Sequence, residues 1–216
     1  MADKSQAALL ANIPVTSLIQ NVASRSPAPG GGSVAALAGS LGASLGAMVT
    51  RLTIGKKKYK EVEEEMRALQ NELLPLRDKL REAIDEDTFA FDEVMAAFDL
   101  PAGTDAEKAA KAEAIDRANQ SAAKVPLSVM QMSLEAAKHL VPVADKGNVN
   151  SISDVGVAGL CLRTAFDGAK LNVLINIKDM EDSEFKRSMQ GQVAELTEAM
   201  EPLLDTVAKR VAERLG

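Results

Sequence analysis

One carboxylate interrupts a regular series of apolar residues. Asp87 stands between Ile84 and Phe91, at a position where helical spacing predicts an apolar side chain. The apolar positions of this series are Leu80, Ile84, Phe91, Val94 and Phe98. Desolvation raises the pKa of a carboxyl group and favours its neutral, proton-donating form. Asp87 is therefore a candidate general acid, and the alternative is that it turns to solvent or accepts an intramolecular hydrogen bond.

A glycine-rich loop is a second candidate site. Its sequence is Pro29-Gly30-Gly31-Gly32-Ser33, and a predicted helix follows it. Bare backbone amides at the positive end of a helix dipole can hold an anion or let a flat ligand approach the backbone. The loop is neither a Walker loop nor a dinucleotide fingerprint, because no Gly-Lys-Ser/Thr follows and no βαβ unit is predicted. The candidate binding residues are Gly30, Gly31, Gly32 and Ser33; the alternative is a tight turn in which Ser33 caps the next helix.

Lysines and side-chain amides complete the candidate binding residues. The chain has a net charge of −6 but carries one dense group of lysines, Lys56, Lys57 and Lys58, here called the basic patch. The basic patch would attract a polyanionic tail. The alternative is that these lysines only form an exposed helix start. Asn172 and Asn176 lie one turn apart on a predicted apolar helix. Buried amides must be hydrogen-bonded, so they either connect helices or bind a polar heterocycle. Two further candidates near the start of that helix are Asn148 and Asp154.

The remaining composition excludes several kinds of chemistry. His139 and Cys161 are the only residues of their types, so the chain cannot assemble a Cys/His zinc site or an internal disulfide, and we predict no metal site. Both are expected to be packing residues. The acidic net charge argues against nucleic-acid binding. Residues 1–6 are polar and lack the apolar centre of a signal peptide, which predicts a cytoplasmic protein.

The elements that position these residues are predicted to be helices throughout. Helical periodicity recurs along the sequence and favours an all-α fold of about seven to nine helices in a single domain, residues 1–216. Pro75 should kink or divide one helix, Pro126 should begin another, and Pro142 and Gly147 should end that one. The predicted helices span residues 15–25, 34 to about 54, about 58–98, 104 to about 124, a stretch that begins at Pro126, a stretch from Ser151 or Ser153 to about 177, and about 182–215. In the first of them Leu18 and Val22 should face inward. Thr104 and Glu107 should form a capping box at the start of the fourth.

The second predicted helix is unusual because no charged residue occurs from Gly30 to Thr50. Small residues recur along it at every fourth position, namely Ala35, Gly39, Ala43 and Ala47. Such a face allows another helix to approach closely, and we expect dimerisation through it across a two-fold axis. A charge-free run of this length is also typical of a membrane span, but its glycines and serines favour a buried core helix and no membrane contact.

Taken in order, these motifs resemble those of the folate cyclodeaminase family, which includes the cyclodeaminase half of formiminotransferase-cyclodeaminase and stand-alone methenyltetrahydrofolate cyclohydrolases. The resemblance extends over almost the whole chain. It is carried by the Ser26-Pro27-Ala28-Pro29-Gly30-Gly31-Gly32-Ser33 loop, Asp85-Glu86-Asp87, Asn172-Val173-Leu174-Ile175-Asn176 and the shorter motifs at residues 48–49, 52–59, 88–91, 100–101, 125–127, 147–148 and 153–154. Ala102 and Lys111 depart from the family pattern, which commonly has Lys and Arg there.

The resemblance implies an all-α homodimer with its active site near the subunit contact and with no metal or redox cofactor. Asp87 matches the aspartate regarded as the family's proton donor. Asp154 and the asparagines would then hold the pterin of a tetrahydrofolate, and the basic patch would meet its glutamate tail, which can be polyglutamylated. Because no formiminotransferase half is attached, a methenyltetrahydrofolate cyclohydrolase is favoured over a formiminotetrahydrofolate cyclodeaminase. A non-catalytic helical dimerisation scaffold is the remaining alternative.

Overall fold

The computed structural model describes residues 9–181 and 183–216, and within these ranges it contains helices and no strands. The α-helices are α1 (Val15–Val22), α2 (Gly31–Thr53), α3 (Glu63–Phe98), α4 (Asp105–Lys146), α5 (Ile152–Ile177) and α6 (Glu184–Leu215). Short 3-10 helices occupy Leu10–Asn12, Lys57–Val62 and Val149–Ser151. The prediction of an all-α fold is confirmed.

The described residues form six α-helices, fewer than predicted, because prolines do not interrupt the long ones. Pro75 lies inside α3, and Pro126 and Pro142 both lie inside α4, which runs without a break to Lys146. A division at Pro75, a helix start at Pro126 and a helix end at Pro142 were therefore wrong, while a kink at Pro75 stays a prediction. A proline removes one helical hydrogen bond, and packing along the whole length of such long helices offsets that loss.

Helix ends agree with the sequence in some places and differ in others. The capping box is confirmed, because Glu107 N donates to Thr104 Oγ1 over 3.2 Å and Thr104 N donates to Glu107 Oε2 over 2.7 Å. Ser151 is the residue before α5, although its hydroxyl makes no capping bond. For the last helix, predicted from residue 182, Asp182 lies outside the described residues and α6 begins at Glu184.

The N-terminal part of the structure differs more from the prediction. α1 ends at Val22 rather than at residue 25 and has no buried residue, so the inward placement of Val22, which is 41% exposed, was wrong. α2 begins at Gly31, three residues earlier than predicted, with Gly30 in the N-cap position. Ser33 therefore lies inside α2 and does not cap it.

The small-residue face of α2 packs closely against helices of the same chain. A Cβ atom at Gly39 would lie 3.0 Å from Leu80 of α3 and 3.2 Å from Ala165 of α5. At Gly42 it would lie 2.9 Å from Leu162, closer than real Cβ contacts, so glycine is required for this approach. The predicted close packing is confirmed, but its place at a subunit contact was wrong, because α3 and α5 already cover the face.

Helix α2 is the one described helix that is long and apolar enough to cross a membrane, and 61% of its apolar window is buried within this chain. That burial is what a core helix shows. Helices α2 to α6 all contribute to one cluster of buried apolar side chains, with Phe166 and several Leu and Met residues at its centre. The core fixes the N-terminal end of α2 against α3 and α5, where the candidate residues meet.

Candidate active site

A pocket of about 240 Å³ lies at the N-terminal end of α2. Its walls come from the preceding loop, the C-terminal third of α3, the N-terminal half of α4 and the C-terminal half of α5. The lining residues are Pro27, Ala28, Gly30, Gly31, Gly32, Asp87, Ala90, Phe91, Val94, Asn119, Ala122, Asn172 and Asn176. The fold thus brings together Asp87, the three loop glycines and both helix-borne asparagines that the sequence singled out.

Asp87 is held in this pocket by Ser33. The Asp87 Oδ2 atom accepts hydrogen bonds from Ser33 N over 2.8 Å and from Ser33 Oγ over 3.0 Å. Ser33 is only 2% exposed, and its hydroxyl is also within donating distance of the Ile84 carbonyl at 2.9 Å. These contacts fix one carboxylate oxygen, while Oδ1 accepts no hydrogen bond from the described residues and remains available to a ligand. Ser33 is therefore a positioning residue for Asp87.

Burial raises the pKa of Asp87 above its ordinary value, and the two hydrogen bonds from Ser33 offset part of that rise because they stabilise the ionised form. The direction agrees with the one predicted from the sequence. A carboxyl group whose pKa is raised toward neutrality can both accept and donate a proton, which is the property required of a general acid–base. The catalytic role itself stays a prediction.

Gly32 is required by the carboxylate beside it. A Cβ atom at this position would overlap all three atoms of the Asp87 carboxyl group. The amides of Gly31 and Gly32 belong to the first turn of α2, where a helix offers no internal acceptor. The loop therefore presents backbone donors beside the free oxygen of Asp87.

In both asparagines on α5 the side-chain nitrogen is hydrogen-bonded and the side-chain oxygen is free. Asn172 Nδ2 donates to the Gly168 carbonyl over 2.8 Å, and Asn176 Nδ2 donates to the Ala122 carbonyl over 3.0 Å. Their Oδ1 atoms accept no hydrogen bond from the described residues. Asn176 therefore connects α5 to α4, as one alternative drawn from the sequence expects, whereas Asn172 bonds only within α5. Binding of a heterocycle by their free oxygens stays a prediction.

The sequence reasoning missed Asn119, which lines the pocket from α4. A usable signal was present, since Asn119 interrupts the apolar spacing from Ile115 to Ala122 in steps of four and three, as Asp87 does on α3.

The other candidate residues lie at the opposite end of α2. The basic patch is exposed and follows the C-terminus of α2, next to Asn148, whose backbone N–H donates to Thr53 Oγ1 over 2.9 Å and whose side chain donates to the Leu52 carbonyl over 3.0 Å. Asp154 lies in the first turn of α5. From Gly31 to Thr53 the axis of α2 extends about 33 Å, so one chain does not bring these residues to Asp87.

The contacts of Asn148 and Tyr59 are structural. Tyr59 OH accepts a hydrogen bond from Val149 N over 3.0 Å, and Lys58 Nζ lies 5.5 Å from the centre of the Tyr59 ring. These bonds attach the basic patch to the loop before α5. The roles assigned to Asn148, Asp154 and the basic patch stay predictions.

Three other titratable groups, His139, Cys161 and Asp85, lie outside the pocket lining. His139 is 3.4 Å from Glu135 on the same helix, and burial raises the pKa of the Cys161 thiol. Asp85, two residues before Asp87, is buried and accepts hydrogen bonds from the backbone of Leu10 and Ala11. In the described part of the chain, no group of three His, Cys, Asp or Glu side chains is placed to hold a metal ion.

Comparison with known proteins gives a consistent result. A family model described as formiminotransferase-cyclodeaminase matches residues 14–195. Methenyltetrahydrofolate cyclohydrolase of Methylorubrum extorquens is 40% identical over 204 residues, which cover 93% of this chain and 98% of that protein. Formimidoyltransferase-cyclodeaminase of Dictyostelium discoideum is 38% identical over 95% of this chain, but the match covers 37% of that longer protein. The crystal structure of formiminotetrahydrofolate cyclodeaminase from Thermotoga maritima is 30% identical, with a TM-score of 0.85 over 95% of this chain and 98% of that one.

Proposed function

The chain belongs to the formiminotransferase-cyclodeaminase family, and we propose that it is a methenyltetrahydrofolate cyclohydrolase, which adds water to 5,10-methenyltetrahydrofolate to give 10-formyltetrahydrofolate. The observation that carries this choice is the extent of the likeness. It spans 98% of the relative named for ring opening, but only about a third of the bifunctional formimidoyltransferase-cyclodeaminases. The pocket around Asp87 supplies the proton-transfer group that the reaction needs.

Asp87 moves one proton during the proposed reaction. As a carboxylate, its free Oδ1 accepts a proton from the water that attacks the methenyl carbon. The same proton then passes to N5 as the bond between that carbon and N5 breaks. The second proton of the water is released to solvent when the formyl carbonyl forms, so a methenyl cation and water yield a neutral formyl product and one proton. A raised pKa suits a group that must accept and donate in one cycle.

The pocket suits a polar heterocycle that carries this reacting carbon. Gly31 and Gly32 let the Asn172 amide and the Asp87 carboxylate lie close to the backbone, and their own N–H groups belong to the first turn of α2, which has no internal acceptors for them. Asn172 and Asn176 offer oxygen acceptors for ring N–H groups. Phe91 and Val94 provide apolar walls that limit access of bulk water.

Formiminotetrahydrofolate cyclodeaminase is the second candidate, favoured by the structural likeness to the Thermotoga maritima protein of that name. In that reaction N10 attacks the formimino carbon, and ammonia departs from it. Asp87 would then carry the N10 proton to the departing amine, so the same carboxyl group serves either reaction. The two candidates differ in whether water or N10 attacks.

We also propose that the functional unit is a homodimer formed through the outer faces of α2 and α5. These helices pack antiparallel, and their solvent sides carry apolar side chains that are 39–67% exposed. They are Val34, Leu41, Leu52, Val157, Leu160, Leu171 and Leu174. A group of exposed apolar side chains on two adjacent helices is typical of a protein–protein interface.

Such a dimer would complete the site. A two-fold axis across the middle of α2 lays the C-terminal end of one α2 beside the N-terminal end of the other. The basic patch of one subunit would then face the partner's Asp87 pocket and meet the glutamate tail of the folate bound there. This arrangement accounts for candidate residues at both ends of a helix about 33 Å long.

The function is tested by offering the purified protein methenyltetrahydrofolate and 5-formiminotetrahydrofolate separately. We expect kcat/KM for ring opening, followed by loss of the methenyl absorbance above the spontaneous rate, to exceed that for deamination. A tenfold excess of kcat/KM for the formimino compound would reverse the assignment. Turnover of neither substrate would leave the scaffold alternative.

The dimer is tested by complementation. The first variant is Asp87→Asn, and the second replaces all three lysines of the basic patch by Gln. If sites are shared between subunits, co-expressed variants form mixed dimers in which one site has both an intact Asp87 and intact lysines, so activity on polyglutamylated substrate at low concentration returns. Absence of recovery in a mixed dimer isolated with two affinity tags would refute the shared site.

A further inference from the structure

A second, larger cleft opens from the Asp87 pocket. It has a volume of about 730 Å³ and lies between the N-terminal half of α4, the end of α3 and the C-terminal end of α5. Asn119 and Asn176 line both spaces, so the two adjoin at these side chains. Its size lies within the range of small-molecule sites. The role of this cleft is not explained by proton transfer at Asp87.

The walls of the cleft suit a flat heterocycle with donors at its edge. Phe98, Ile115 and Met180 provide apolar surface for the faces of a ring. The charged residues of the lining are all acidic, namely Asp116, Asp179 and Glu181. An anionic glutamate tail would be repelled here, whereas an edge with two N–H donors would be attracted.

Asp179 is the carboxylate in the best position for that edge. It lies two residues beyond the end of α5 and lines the cleft together with Asn176, which with Asn172 also lines the Asp87 pocket. Asp116 differs, because its Oδ2 already accepts a hydrogen bond from Gln120 over 2.9 Å. Asp179 makes no hydrogen bond or ion pair with the described residues.

The turn that carries Asp179 is held from both sides. Lys186 Nζ donates to the carbonyl of Lys178 over 2.9 Å and to that of Met180 over 2.8 Å. The backbone around Asp179 is thus fixed by a side chain of α6, while its own carboxylate stays free. An unpaired carboxylate on a fixed backbone suits selective recognition of a ligand.

We propose that Asp179 determines specificity by binding the 2-amino-4-oxopyrimidine edge of the pterin. That edge presents an amino group and a ring N–H side by side, and the two oxygens of one carboxylate accept from both. The inference rests on the proposed function and extends it. It places the pterin edge at Asp179 of the same chain, in place of Asp154, which lies at the far end of α5. The glutamate tail of the folate would then extend away from Asp179, toward the proposed subunit interface.

The test compares two ligands that do not react. 5-Formyltetrahydrofolate carries the 2-amino group, and its 2-desamino-2-methyl analogue lacks it. Calorimetry on the full-length protein should give a Kd for the first ligand about ten- to a hundredfold below that for the second. In Asp179→Asn the two Kd values should become alike. KM for methenyltetrahydrofolate should rise while kcat stays near wild type, because the edge contact is the same in ground and transition states.

Asp116→Asn is the matched control, since it removes a carboxylate from the same cleft and should keep the ligand preference. Asp179 is exposed, so Asn at this position does not disturb the core. Retention of the wild-type preference in Asp179→Asn would overturn the proposal, as would loss of preference in Asp116→Asn alone. If the wild type prefers the 2-amino ligand but converts neither folate substrate, the proposed function fails and the binding subsite stands. If it converts methenyltetrahydrofolate while Asp179→Asn changes nothing, the subsite fails and the function stands.

Discussion

Replacement of Gly32 by Ala would displace the Asp87 carboxylate while changing little else. The added methyl group would overlap the carboxyl atoms and would meet no other atom as closely. The Asp87 side chain must then rotate, and it loses the hydrogen bonds from Ser33 N and Ser33 Oγ. The free oxygen would move away from the position at which we expect the reacting carbon.

The energetic cost is modest because two effects oppose each other. Hydrogen bonds to a charged group contribute about 1.5–3 kcal/mol each, but a half-buried carboxylate regains part of this from water. Alanine also favours the helix over glycine by about 1 kcal/mol. We expect a net loss of about 1–3 kcal/mol in the free energy of unfolding, a fall in Tm on the order of 5 °C, and a kcat lowered about a hundredfold or more.

The assay is ring opening of methenyltetrahydrofolate together with thermal unfolding of the same preparations. Gly191→Ala is the matched control, because a Cβ atom there meets nothing within 4 Å and should leave kcat unchanged while raising stability slightly. A folded Gly32→Ala protein with wild-type kcat would refute the argument that the position of Asp87 controls the reaction.

Three further predictions follow from the same contacts. Because burial raises the pKa of Asp87, the folded state retains that proton to higher pH than the unfolded chain, and the ionised group lowers stability as the pH rises through the raised pKa. Relative to wild type, Asp87→Asn should therefore gain stability in urea unfolding as the pH rises from about 4, the ordinary pKa of an aspartate, through the raised pKa; a constant difference would contradict the raised pKa. Gly39→Leu should lower the free energy of unfolding by about 3 kcal/mol or more, because the larger side chain overpacks the contact with α3 and α5. Gly191→Leu should be tolerated, and equal Tm values for the two variants would exclude the close packing of α2. Replacing the basic patch by Gln should raise KM for polyglutamylated substrate more than for the monoglutamate, with a difference that shrinks in high salt; equal effects on both would exclude a tail site.

The fold class was predictable because helical periodicity is local and recurs throughout the chain. The helix number was not, since whether Pro75 or Pro126 breaks a helix depends on the packing on either side, which is not local. The same limit explains the small-residue face of α2. Its spacing showed that another helix approaches closely, but it did not distinguish a helix of the same chain from one of a second copy.

The candidate site, like the fold, could be predicted from the sequence only in part. Asp87 was identifiable because a charged side chain in an apolar series is a local signal, and Asn119 carried a weaker version of it. The separation of Asp87 from the basic patch was hidden, because which end of α2 packs against Asp87 of α3 depends on contacts far apart in the sequence. Ser33 was predicted to be a binding residue or a helix cap, whereas its hydroxyl and amide both donate hydrogen bonds to Asp87.

The most direct test of the account measures kcat for ring opening of methenyltetrahydrofolate by wild type, Asp87→Asn and Glu86→Gln. Glu86 is the exposed neighbour of Asp87, so its replacement makes the same change of charge outside the pocket. We predict that Glu86→Gln retains wild-type kcat and that Asp87→Asn, with an unchanged fold, loses about a hundredfold or more. Near-normal turnover by a folded Asp87→Asn protein would contradict the assignment of Asp87 as the group that moves the proton.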